Sequence, residues 1–127
     1  MKAEAREWLL KADRDVHTAT REHAVEIDPN FDAVCFHCQQ AVEKMLKALI
    51  VEQEMHVPRT HDLTALLDIL LAVYPEFEEL REPLARLTDY SIGYRYPGMD
   101  AEAEMADEAY ADASTVYAIF RSVFKRL

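Results

Sequence analysis

Between Phe31 and Val51, apolar residues recur at 31, 35, 38, 42, 45 and 49, in steps that alternate four and three. That spacing is the seam of a helix packed against other helices. Val34, Ala41, Leu46 and Ile50 widen the seam into a broad face, so this helix has to be covered on more than one side and is expected at the centre of a bundle. Its few polar residues, Gln39, Gln40, Glu43, Lys44 and Lys47, are the exceptions to be explained.

The same period predicts a first helix from about Ala3 to Glu26, with Trp8, Leu9, Ala12, Val16, Ala19 and His23 on its inward face. Asp28-Pro29 breaks it; Pro29 suits the opening turn of the next helix, with Asp28 as its N-cap. So short a connection makes the two helices an antiparallel hairpin. Val57-Pro58 ends the second helix. Thr60 or Asp62 caps a third, in which Leu63, Leu66, Leu67, Leu70 and Leu71 keep a helical period to about Tyr74, where Pro75 closes it. A fourth helix is expected from Phe77 to about Asp89, with Pro83 either starting or kinking it. Tyr90 to Gly98 reads as a loop. The last helix runs from Asp100 or Ala101 to Lys125 with two apolar stripes, one through Met105, Ala109, Val116, Phe120, Val123 and Leu127, the other through Tyr110, Tyr117 and Phe124. Two stripes suggest that a second subunit covers one of them, giving a homodimer.

Composition agrees with an all-α chain: only two glycines in 127 residues, and no strand-like alternation. That length suits one domain. A formal net charge of −10 argues against a duplex DNA-binding surface, which needs clustered Lys and Arg. No apolar run reaches a membrane span and no secretory h-region opens the chain, so a cytoplasmic protein is expected. Cys35 and Cys38 fall inside the helical seam and read as two small buried apolar residues rather than a metal or redox pair.

Candidate chemistry centres on Arg95. Its loop holds both glycines, a proline and three tyrosines, so Arg95 can fork onto a phosphate and Tyr94 or Tyr96 can stack on a base. The alternative is packing, with the tyrosines plugging the bundle end and Arg95 paired to Asp89 or Asp100. Glu43 and Lys47 are spaced as a surface ion pair, while Lys44 and Lys47, three apart, can present two ammonium groups together to a phosphate or to Asp13. His61 reads as a cap-region residue at the head of the third helix, or as an acid or base. No Glu-x-x-His pair, phosphate loop or nucleophile elbow occurs, so neither a metal nor a cofactor is expected.

Four pieces in order, Trp8-Leu-Leu-Lys-Ala-Asp13, Cys38-Gln-Gln-Ala-Val-Glu-Lys44 with Lys47-Ala-Leu49, His61-Asp-Leu63 and Arg95-Tyr-Pro97, resemble the HEPN domain proteins of prokaryotes (higher eukaryotes and prokaryotes nucleotide-binding domain). The resemblance spans nearly the whole chain, so residues 1–127 are expected to be one HEPN-like domain. It implies an up-down bundle of four to five helices resembling the C-terminal domain of kanamycin nucleotidyltransferase, usually dimeric. It also implies a minimal nucleotidyltransferase as partner, in a toxin–antitoxin-like pair. Many active members are metal-independent endoribonucleases with an Arg-x4-6-His motif; others are nucleotide-binding or non-catalytic. Here all five histidines precede Arg95, and Asp100 stands five residues after it. A carboxylate cannot replace an imidazole near neutral pH without a large upward pKa shift. The expectation is therefore a nucleotide-binding or interaction module with Arg95, Tyr96, Lys44 and Lys47 as ligand contacts, and a nucleotide or RNA as ligand. The alternative is an endoribonuclease with an atypical site drawn from Arg95, His61 and Asp100.

Overall fold

A computed structural model describes residues 1–91 and 97–127. Among them the chain is all-helical, with α1 at Ala3–His23, α2 at Phe31–Glu52, α3 at Leu63–Leu70, α4 at Arg81–Thr88 and α5 at Ala103–Lys125, and a 3-10 helix at Pro75–Leu80 leading into α4. α2 is the centre. It packs against α1 along a hairpin and also against α3, α4 and α5, and the face predicted from its period is wholly buried, from Val34 to Ile50. Buried side chains of Leu and Ile size stabilise by roughly 1.5–3 kcal/mol each, which makes this helix the main source of core energy. Phe77 joins the 3-10 helix to that core, with its ring centroid 4.7 Å from that of Tyr74 and 5.3 Å from that of Phe120.

Several boundaries differ from the sequence pattern for local reasons. α1 stops at His23 rather than Glu26, because the Glu22 carboxylate accepts the Asn30 backbone N–H (3.0 Å) and draws the chain back. Asp28 is not the cap of α2: it sits at φ 54°, in the left-handed region that suits turns. Asn30 caps instead, its Oδ1 accepting from Ala33 N–H at 3.0 Å. Asp62 caps α3, taking the N–H groups of Thr64 and Ala65 at 3.0 and 3.4 Å. α3 ends at Leu70, a turn earlier than its leucine pattern suggests, and Pro75 opens the 3-10 helix. Pro83 stands third in α4, which starts at Arg81, so it falls in the first turn, where a missing N–H has no helical acceptor to lose. α5 begins at Ala103, after Asp32 at the head of α2 accepts the Ala101 N–H at 2.6 Å.

The second apolar stripe of α5 runs beside α1. Phe124 is buried, the Tyr117 hydroxyl donates to Asp13 of α1, and the Tyr110 hydroxyl is 3.0 Å from that of Thr20 of α1. The two tyrosines of that stripe thus bond to α1 and remain half-buried. Among the described residues no helix is long and apolar enough to cross a membrane.

Candidate functional site

Gln39, Glu43 and Lys47 follow one another at steps of four on α2, so they stack on one side of the helix. All three are buried, with Glu43 only 3% exposed. A helix apolar nearly all round leaves these side chains no water, and they satisfy one another. Glu43 Oε1 accepts from Gln39 Nε2 at 3.1 Å and from His61 Nδ1 at 2.9 Å, and Oε2 accepts from Lys47 Nζ at 3.0 Å. Gln39 Nε2 also reaches the His61 carbonyl oxygen at 3.3 Å, fixing the connector before α3 at two points. Burial works against the charged carboxyl of Glu43, but hydrogen bonds from Gln39, His61 and Lys47, with the lysine charge, outweigh it and hold its pKa below the ordinary value. The pair expected on the surface is therefore an interior one.

The set extends outward at both ends. The His61 side chain is 64% exposed, and with Nδ1–H donated to Glu43, Nε2 is left for solvent. At the other end the Lys47 ammonium lies over the Trp8 ring of α1, 5.5 Å from its centroid. Trp8, expected to face inward, is only half-buried. A buried charge pair thus orients an imidazole on one side and an indole on the other.

A second carboxylate sits between α1 and α2. Asp15 Oδ1 accepts from His37 Nδ1 at 2.8 Å, and Oδ2 from Lys44 Nζ at 2.5 Å. Burial again opposes ionisation and the two donors reverse it, so Asp15 too is held below its ordinary pKa. Lys44 pairs here and not with Asp13, which faces α5 and takes the Tyr117 hydroxyl. Lys44 and Lys47 consequently do not stand together as two free ammonium groups; each already serves a carboxylate. Each ammonium still has further N–H donors for a ligand.

Arg95 and Tyr96 lie outside the described residues. Asp100 is exposed and borders a depression with Asp28, Asn30 and Asp32 at the head of α2. His61 meets α2 at Glu43, eleven residues further along and about 16 Å of helix away, so Asp100 and His61 belong to different places. Cys35 and Cys38 are buried free thiols, pushed up to about 12, Cys35 by burial and Asp32, Cys38 by burial and its neighbour Cys35. Among the described residues no group of three or more His, Cys, Asp and Glu is placed to hold a metal ion. Sequence reading missed Trp8 as a surface group and Glu43 as the hub; the signal that could have found the hub was the Gln39-x3-Glu43-x3-Lys47 run on an otherwise apolar helix, whereas the exposure of Trp8 depends on packing.

No curated protein matches the chain. The crystal structure of TT1696 from Thermus thermophilus is similar, with a TM-score of 0.76 and 27% identity over 95% of this chain and 98% of that one. The HEPN domain family model matches residues 5–123. Nearly the whole bundle is included, with α2 and its buried carboxylate, and the chain belongs to the HEPN domain family.

Proposed function

We propose that this chain is a nucleotide-binding module, homodimeric and cytoplasmic, that works beside a minimal nucleotidyltransferase in a toxin–antitoxin-like pair. The observation that carries the binding reading is the joined set Trp8, Lys47, Glu43 and His61. Its outer members are an aromatic ring and an imidazole, the groups that meet bases and phosphates, and its inner members hold them in place. In this reading Arg95 and Tyr96 add a phosphate fork and a stacking ring, and Lys44 and Lys47 share their remaining donors with the ligand. A nucleoside triphosphate then raises the melting temperature by mass action, by the equivalent of about 2.7 kcal/mol at a hundredfold excess over Kd. Arg95→Ala abolishes the shift. No shift at millimolar nucleotide removes the reading.

A second reading, a metal-independent endoribonuclease, draws support from His61 alone. An imidazole whose Nδ1–H is held by a buried carboxylate presents Nε2 for proton transfer, as a general base requires. It predicts RNA cleavage that survives EDTA and disappears in His61→Ala and Arg95→Ala; total RNA left intact by the wild-type chain counts against it. The missing histidine after Arg95 makes the binding module the preferred reading.

A further inference from the structure

Glu4, Glu7, Trp8 and Lys11 of α1 line a surface cavity of about 190 Å³. That is below the roughly 300–1,000 Å³ of pockets that enclose a whole ligand, yet several times the roughly 30 Å³ share of one water. It fits one ring system of a larger molecule. The half-buried Trp8 ring has Lys47 over one face, and Glu43 anchors that lysine from within the core. The carboxylates of Glu4 and Glu7 and the Lys11 ammonium engage in no hydrogen bond or ion pair among the described residues, in contrast to the carboxylates of Glu43 and Asp15.

Resting on the nucleotide-binding reading above, we propose that this cavity takes a guanine base, stacked on Trp8 with its hydrogen-bonding edge toward the carboxylates of Glu4 and Glu7. Two acceptor-only groups beside an aromatic face call for a flat ligand rich in N–H donors. Guanine alone among the common bases carries two adjacent N–H groups, N1–H and the 2-amino group, which a single carboxylate accepts in parallel. Adenine and cytosine each offer one amino group, and uracil one ring N–H. An alkylammonium ion is the competing guest for an aromatic ring flanked by carboxylates. Lys47 already lies over the indole and Lys11 also lines the cavity, so the two ammonium groups offset the pull of the two carboxylates on a cation, whereas a neutral base is not repelled by either. The ammonium at Lys47 also favours stacking of an electron-rich ring on the other face.

Trp8 is the chain's only tryptophan, so its emission reports the site directly in the full-length protein. Titration with guanosine, adenosine, cytidine, uridine and tetramethylammonium is expected to give saturable quenching by guanosine, at least about tenfold tighter than by uridine. The double variant Glu4→Gln/Glu7→Gln, both exposed positions on α1, is expected to weaken guanosine at least about fivefold and to level the ranking of the bases. If nucleotide raises the melting temperature while Trp8 emission stays unchanged, or the double variant binds guanosine as the wild type does, the base site is overturned and the binding module stands. Quenching by tetramethylammonium without guanosine makes it an ammonium site and also overturns the proposal. Absence of both quenching and thermal shift removes the site together with the module.

Discussion

Glu43 and Asp15 are both buried carboxylates that take a lysine and a histidine, yet they join different parts of the bundle. Asp15 lies in the α1–α2 hairpin and ties two long helices already packed along their lengths. Its histidine and lysine are 28% and 22% exposed, so either can turn to water if the carboxylate is lost. Glu43 has three donors, one from its own turn below, one from its own turn above and one from the connector before α3. Its lysine is only 10% exposed and has no such escape. The same two residue types therefore make a replaceable joint in one place and a hub in the other, and what separates them is the solvent access of the cation.

Removing each in turn breaks the comparison most directly. Glu43→Ala strands the Lys47 ammonium and is expected to cost about 3–5 kcal/mol, the usual range when one partner of a buried pair is deleted, measured by urea unfolding. It also frees His61 and loosens Trp8, so tryptophan emission shifts in the folded state. Asp15→Asn leaves Lys44 and His37 a path to water and keeps one acceptor, and a loss of about 2 kcal/mol is expected, within the range for hydrogen bonds to charged groups. Equal losses in the two variants would show that solvent access of the cation is not what distinguishes them.

Acid sharpens the contrast further. Glu43 and Asp15 are held below their ordinary values of 4.5 and 3.8, so on acidification the unfolded chain takes up protons before the folded one. The stability they contribute is complete above about pH 4.5 and falls as pH drops through their lowered folded values. In urea midpoints measured from pH 7 downward, Glu43→Gln is expected to flatten this acid limb; a limb as steep as wild type would assign it to other carboxylates.

The smallest effect belongs to an exposed pair. Arg86 forks onto Asp112, linking α4 to α5 at 2.9 and 3.0 Å, but the arginine is 46% exposed. Arg86→Ala is expected to change stability by no more than about 1 kcal/mol, and less in high salt.

The difference between these sites also marks how much of the molecule is legible in its sequence. The centrality of α2, its hairpin with α1 and a cap at Thr60 or Asp62 follow from periodicity and turn chemistry, because each depends on residues within a few positions of one another; packing chooses Asp62 and ends α3 at Leu70, before Pro75. The capping residue of α2 does not: Asp28 and Asn30 are both good caps by type, and the left-handed turn at Asp28 together with the Glu22 bond to Asn30 decides between them. Nor does the second stripe of α5 disclose its partner, since Tyr110 and Tyr117 reach hydroxyl and carboxylate groups of α1 that lie 90 and 104 residues away in sequence.

That Glu43 and Lys47 share one side of a helix follows from their order in the chain alone, because four residues make about one turn. So does the conclusion that this helix is too apolar to face water. Packing was needed to place the pair inside, to bring His61 onto it from eighteen residues away and to lean Trp8 out over it. Helical spacing fixes which residues are neighbours along one element, while the solvent a charge sees is set by the elements packed around it.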